Sequence, residues 1–142
     1  MAAGPTVKQI LQAYPGNIRL VIKNYPYKYR DFSKIAAEAS LAARDQGKYW
    51  EMHDILLTRS PNLDRTSLIG YAGELGLDVK KFTESIDSGR HADEIDRDVQ
   101  LAQSMDLYNT PTFYINGRQV VGERPFEYLR KIIDEELNQT GR

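Results

Sequence analysis

The side chains able to do chemistry in this sequence are few, and their spacing suits few reactions. His53 and His91 are the two histidines, and neither has a second histidine four residues away to form a helical metal-ligand pair. His53 falls between Trp50 and Leu57 in a stretch of helical period, where a packed or hydrogen-bonded histidine is expected. Glu51 and Asp54, and Glu94, Asp96 and Asp98, read as solvated helix faces and not as acid–base pairs. Gly70, Gly73 and Gly76 imitate a phosphate-binding spacing, but they sit in and after a helix instead of between a strand and a helix. No metal and no cofactor is expected. Cysteine is absent from all 142 residues, which excludes disulfides, thiolate nucleophiles and cysteine-bound metals. Met1, Met52 and Met105 do not replace it, because a thioether cannot form a disulfide.

What remains is a stretch of backbone chemistry. Asn109-Thr110-Pro111 runs into two short β-formers, residues 112–115 and 119–121, on either side of Asn116-Gly117. Asn-Gly suits the two positive-φ positions of a type I′ turn, so a β-hairpin is expected. Pro111 opens its first strand, where a missing N–H does least harm to a ladder. A loop therefore meets a sheet at Thr110-Pro111.

The elements that must position this loop read as follows. Val7, Ile10, Leu11 and Tyr14 have helical spacing, with Pro5 in the first turn and Pro15-Gly16 at the end. Residues 18–24 read as a strand apolar enough to lie inside a sheet. Tyr25, Tyr27 and Tyr29 lie in a loop that either roofs the core or forms an adhesive surface. Ser33 reads as the N-cap of an alanine-rich helix closed by Gly47, and Tyr49, Trp50, His53, Leu56 and Leu57 line the next helix, which Ser60-Pro61 breaks. Asp64 and Asp78 read as caps of two further helices, and Ile95, Val99 and Ala102 mark a fifth. After the hairpin, Phe126, Leu129, Ile133 and Leu137 mark a last helix, with residues 138–142 fraying.

Size and charge set the class. At 142 residues, 41% hydrophobic and 27% charged, the chain is expected to be one soluble domain, residues 1–142. A formal net charge of −1 favours neither nucleic acid nor an anionic membrane surface. No apolar run approaches the ~20 residues needed to cross a bilayer, and no signal peptide is evident at Met1, so as written the chain is expected in the cytoplasm.

Five pieces in order resemble the DsbA-like branch of the thioredoxin superfamily: Pro5-Thr6 with Tyr14-Pro15-Gly16, residues 22–26, residues 46–53, Asn109-Thr110-Pro111-Thr112, and residues 113–117. The resemblance implies an α/β thioredoxin-like fold with a helical insertion over residues 33–105, and it makes Thr110-Pro111 a cis-proline dipeptide. Asn109, Thr110 and Pro111 would form the substrate-side loop, with the backbone of Thr110 pairing with an extended polypeptide. The sequence departs from the family where the chemistry lies. The family's Cys-x-x-Cys, and the first, central strand before it, would fall upstream of Met1.

The chain therefore reads as a fragment of a thiol:disulfide oxidoreductase, redox-inactive as written. Its parent would be extracytoplasmic or periplasmic. A non-catalytic peptide-binding module is an alternative, as is a protein similar to kappa-class glutathione transferases, whose serine at the start of the same helix is also absent. Without the central strand, two apolar strand edges would lack partners, so a homo-oligomer or a rearranged sheet is expected.

Overall fold

The computed structural model describes residues 3–140, so the expectations for Met1 and for the last two residues of the fraying end fall outside the described residues. In chain order the elements are α1 (Ala3–Ala13), α2 (Ser33–Arg44), α3 (Tyr49–Arg59), α4 (Arg65–Glu74), α5 (Val79–Ser88), α6 (Ala92–Ser104), β1 (Thr112–Ile115), β2 (Arg118–Val121) and α7 (Phe126–Thr140). This is an α/β thioredoxin-like fold, mostly helical with a small two-stranded sheet. The chain divides into two compact units. One holds the chain up to Ile22 and from Asp106 onward, and the other runs from Lys23 to Met105.

In the first unit the hairpin has the expected form. β1 and β2 pair antiparallel with Ile115 opposite Arg118 and Phe113 opposite Val120. Asn116 and Gly117 carry φ of 48° and 87°, the left-handed pair that a type I′ turn needs. Phe113, Ile115 and Ile18 pack on a core of Ile10, Val120, Leu129, Ile132 and Ile133, which α1, β2 and α7 supply. Helix α7 keeps its form through Thr140, past the expected fraying from Asn138, and the Thr140 hydroxyl donates to the Glu136 and Leu137 carbonyls.

Residues 18–24 correct the sequence reading. They alternate half-buried and exposed at every position, as a strand does, yet they belong to no sheet. A ladder requires a neighbouring backbone with aligned N–H and C=O groups, and among the described residues none lies beside this stretch. The Asn24 N–H instead donates to Asp98 Oδ2 at 2.9 Å.

The second unit is a helical assembly. Ala39, Ala42 and Ala43 of α2 are buried, and their small side chains let α3 and α5 approach closely. Phe82, Met52, Leu68 and Ile95 are the largest fully buried side chains. Asp64 and Asp78 cap α4 and α5 by accepting from the N–H groups of Ser67 and Lys81. Two expectations fail here. Ser33 is not the cap of α2: Phe32 holds that position in a left-handed conformation, φ 66°, with no side-chain cap, and Ser33 is the first helical residue. Trp50 is 48% exposed, because Met52 and not Trp50 takes the inward position on α3.

This burial pattern makes Phe82 the costliest side chain to truncate. Phe82→Ala is expected to destabilise the chain by about 3–5 kcal/mol in urea unfolding, while Trp50→Ala costs roughly 1 kcal/mol or less. Equal losses would contradict this assignment of the core.

Candidate functional site

The candidate site is the loop of Asn109, Thr110 and Pro111, and local bonds shape it. Asp106, with φ of 55°, turns the chain after α6, and Tyr108 is exposed. The Thr112 hydroxyl donates to the Asn109 carbonyl at 2.8 Å, closing the loop on itself. The Gly122 N–H donates to the Pro111 carbonyl at 2.8 Å, so the hairpin ladder continues one residue beyond β1. The Thr110–Pro111 peptide bond is cis, as is Ser60–Pro61. Asn109 and Thr110 are exposed and Pro111 is half-buried. The loop thus presents Asn109 and Thr110 to solvent while its proline is anchored to the hairpin.

The other residues singled out from the sequence take the following places, each within its own unit. Within the first unit, Tyr14 at the end of α1 donates to Asp134 Oδ1 of α7 at 2.5 Å. Its hydroxyl pKa is raised, first by burial and then by this bond to a carboxylate. The bond ties α1 to α7 and leaves Tyr14 protonated at neutral pH.

In the second unit His53 stacks on Tyr49 and meets Trp50 edge-on. Burial lowers its pKa, which favours the neutral imidazole. Burial also raises the pKa of Tyr49. These groups form an aromatic cluster with a neutral centre.

Asp98 departs most from the sequence reading. Expected on a solvated face, it is 6% exposed, receives Lys23 Nζ on Oδ1 at 3.1 Å, and receives the backbone N–H and the side-chain amide of Asn24 on Oδ2. Ile95, Asp98 and Val99 share one helical face, so spacing did hold a signal. Two more buried polar groups are Glu38, which the sequence reading passed over, and His91, which it took only as a lone histidine. Glu38 Oε2 accepts from the His91 N–H at 3.1 Å, and His91 Nε2 lies 2.9 Å from Asp45 Oδ2. Glu38 lies on the buried face of α2 among alanines, where a carboxylate needs such partners. All three residues fix chain segments to one another.

Comparison with known proteins gives this geometry a family. Residues 2–135 match the family described as thioredoxin. A relative from Salinispora arenicola named as a Na(+)/H(+) antiporter, NhaA 1, is 40% identical over 128 residues, which is 89% of this chain and 20% of that protein. One of the same kind from Herminiimonas arsenicoxydans is 40% identical over 113 residues, 79% of this chain and 18% of its own. The chain spans about a fifth of the length of these curated relatives. Among solved structures, a thioredoxin-like oxidoreductase from Silicibacter pomeroyi DSS-3 superposes with a TM-score of 0.85 at 30% identity, covering 95% of this chain and 77% of that one. The thiol-disulfide exchange protein alpha-DsbA2 from Wolbachia pipientis superposes with 0.83 at 25% identity, covering 94% and 73%. No helix among the described residues is long and apolar enough to cross a membrane.

Two measurements check the polar assignments. Asp98→Ala leaves the Asn24 N–H without its acceptor, and is expected to cost about 1–3 kcal/mol and to abolish hydrogen-exchange protection of the Asn24 amide. For His53 the folded pKa lies below the unfolded value near 6.5, so its contribution is complete above that pH and falls as pH drops toward the folded pKa. The stability of the wild type relative to His53→Gln should therefore decline between pH 7.5 and 5.5; a difference independent of pH would refute the burial argument.

Proposed function

The chain belongs to the thioredoxin family, and on that premise we propose that it is a DsbA-like domain that exchanges no disulfides itself and acts by holding an extended polypeptide at Asn109, Thr110 and Pro111. The observation that carries this reading is the absence of cysteine from the 142 residues beside an exposed, internally bonded loop at residues 109–112. Thiol–disulfide exchange proceeds by attack of a thiolate on a disulfide sulfur, and no hydroxyl, imidazole or thioether of this chain can take that step. Nothing of the sort limits strand-like pairing, which uses only backbone groups at an accessible edge.

Several features support the loop as that edge. It is exposed at Asn109 and Thr110, and it is held by the Thr112 hydroxyl and by the Gly122 N–H. It leads directly into β1, so an extended chain laid against it would run on along the sheet. The antiporter name of the curated relatives belongs to proteins of which this chain spans about a fifth, and the reading takes nothing from it. The proposed role also needs no oxidising compartment, because no disulfide takes part in it.

The test has two arms. Insulin reduction and dithiol oxidation by this polypeptide should read at background, and turnover above background would refute the redox half. Titration with a cysteine-free extended peptide should give saturable amide shifts centred on Asn109 and Thr112. Absence of saturation would refute the binding half.

A further inference from the structure

The tyrosine loop before α2 could roof the core or form an adhesive surface, and its rings do not roof the core. Tyr25, Tyr27, Tyr29 and Phe32 lie outside the buried cluster of the second unit and outside the side chains packed against it. Tyr25 and Tyr27 are half-buried, Tyr29 is 78% exposed and Phe32 is 47% exposed. The tyrosines cover one another instead. Tyr25 meets Tyr27 edge-on at 5.7 Å between centroids, Tyr29 stacks on Tyr27 at 5.1 Å, and the Arg30 guanidinium lies 5.8 Å from the centre of the Tyr27 ring. Two turns hold the segment compact: the Arg30 N–H donates to the Tyr27 carbonyl at 3.2 Å, and the Ser33 N–H donates to the Arg30 carbonyl at 3.4 Å. Every residue from Lys28 to Phe32 is exposed, so this segment stands out as a knob.

Two features of the knob are out of keeping with a merely structural loop. The first is charge. Arg44, Arg59, Arg65 and Arg118 each meet a carboxylate at 2.6–2.7 Å. Lys28, Arg30 and Lys34 make no ion pair among the described residues. Asp31 is the one acidic residue between Lys28 and Lys34, so three cations and one carboxylate leave a local charge of +2 on a chain whose formal net charge is −1. The second is Phe32. Its φ of 66° is a left-handed conformation that is unfavourable for a bulky side chain, and the ring gains no place in the core in return.

Shape selects among the anionic partners that such charge would attract. A small ligand needs a concave site that encloses most of its surface, and a run of exposed residues offers none. A rigid folded partner would need a hollow matched to the knob. A bilayer surface needs no such match: it offers phosphates to cations and admits a protruding ring beneath them, while tyrosine, with an apolar ring and a polar tip, suits the headgroup level. We propose that residues 25–34 form a docking knob for an anionic lipid surface. Phe32 enters the boundary between headgroups and acyl chains, Tyr29 lies among the headgroups, and Lys28, Arg30 and Lys34 meet lipid phosphates. Three cations fall short of the about four to eight of a strong polybasic anchor, so the association is reversible and salt-sensitive. None of this rests on the role proposed for residues 109–111.

The experiment floats the full chain with vesicles of phosphatidylcholine mixed with phosphatidylglycerol, and with vesicles of phosphatidylcholine alone, at low and raised salt. The expected result is co-flotation with the anionic vesicles only, lost as salt is raised, and weakened by about fivefold or more in the double variant Lys28→Gln, Lys34→Gln. Phe32→Gly removes the ring and relieves the left-handed backbone, so it should fold at least as well as the wild type while its partition falls by about threefold or more. Tyr29→Ser, at a site too exposed to matter for folding, should lower partition in the same direction. No flotation with either vesicle, equal flotation with both, or partition unchanged in both ring variants would overturn the proposal. A single-stranded oligonucleotide or a polyglutamate peptide bound more tightly than the anionic vesicles would make a charged polymer the occupant, and would overturn it as well.

Discussion

The structure depends on one constraint: extended backbone must find its hydrogen-bond partners sideways, whereas helical backbone finds them within itself. The seven helices among the described residues satisfy that demand alone, and the hairpin satisfies half of it through the β1–β2 ladder. Residues 18–24 do not satisfy it. They keep the alternating burial of a strand, and Ile18 at their start rests on the core of Ile10, Leu129 and Ile133. At their far end the Asn24 N–H turns to the Asp98 carboxylate, a side chain standing where a neighbouring strand would offer a carbonyl.

The second unit solves a different problem. Its core is built from small residues of α2 packed against Met52, Leu68 and Phe82, and close helix packing leaves little room for water. Charged groups drawn into it bring partners, although Glu38 Oε1 is buried without a hydrogen bond. Asp98 gathers Lys23 and Asn24, and Glu38 gathers the His91 backbone while the His91 ring meets Asp45. Each pairing joins segments distant in sequence, so these carboxylates fix how the unit is assembled more than they add net stability. Exposed pairs such as Arg59–Glu74 and Arg65–Asp87 are of the kind that contribute little.

What the sequence made legible was local. Asn116-Gly117, Asp64 and Asp78 each act through neighbours two or three residues away, so the turn and both caps could be read directly. The loop of Asn109 to Thr112 was legible in part for the same reason, since the Thr112 hydroxyl reaches three residues back and the Gly122 N–H reaches across the hairpin. Residues 18–24 were read correctly as extended and apolar, but pairing depends on a neighbour that no local pattern reports. Asp98 was misplaced because its partner Asn24 lies 74 residues away, and a charge on a helix reads as solvated until that partner is known. At Phe32, a left-handed non-glycine residue took the start of α2 from the serine beside it, an outcome that cap preferences weigh against.

The loop and the missing sulfur can now be separated on physical grounds. Among the bonds that shape residues 109–112 are those donated by the Thr112 hydroxyl and the Gly122 N–H, and neither of these two involves a thiol or a charged group. Those two bonds are therefore indifferent to whether redox chemistry occurs nearby. The absence of cysteine from the 142 residues therefore leaves these bonds untouched, because they are made by backbone groups and a hydroxyl.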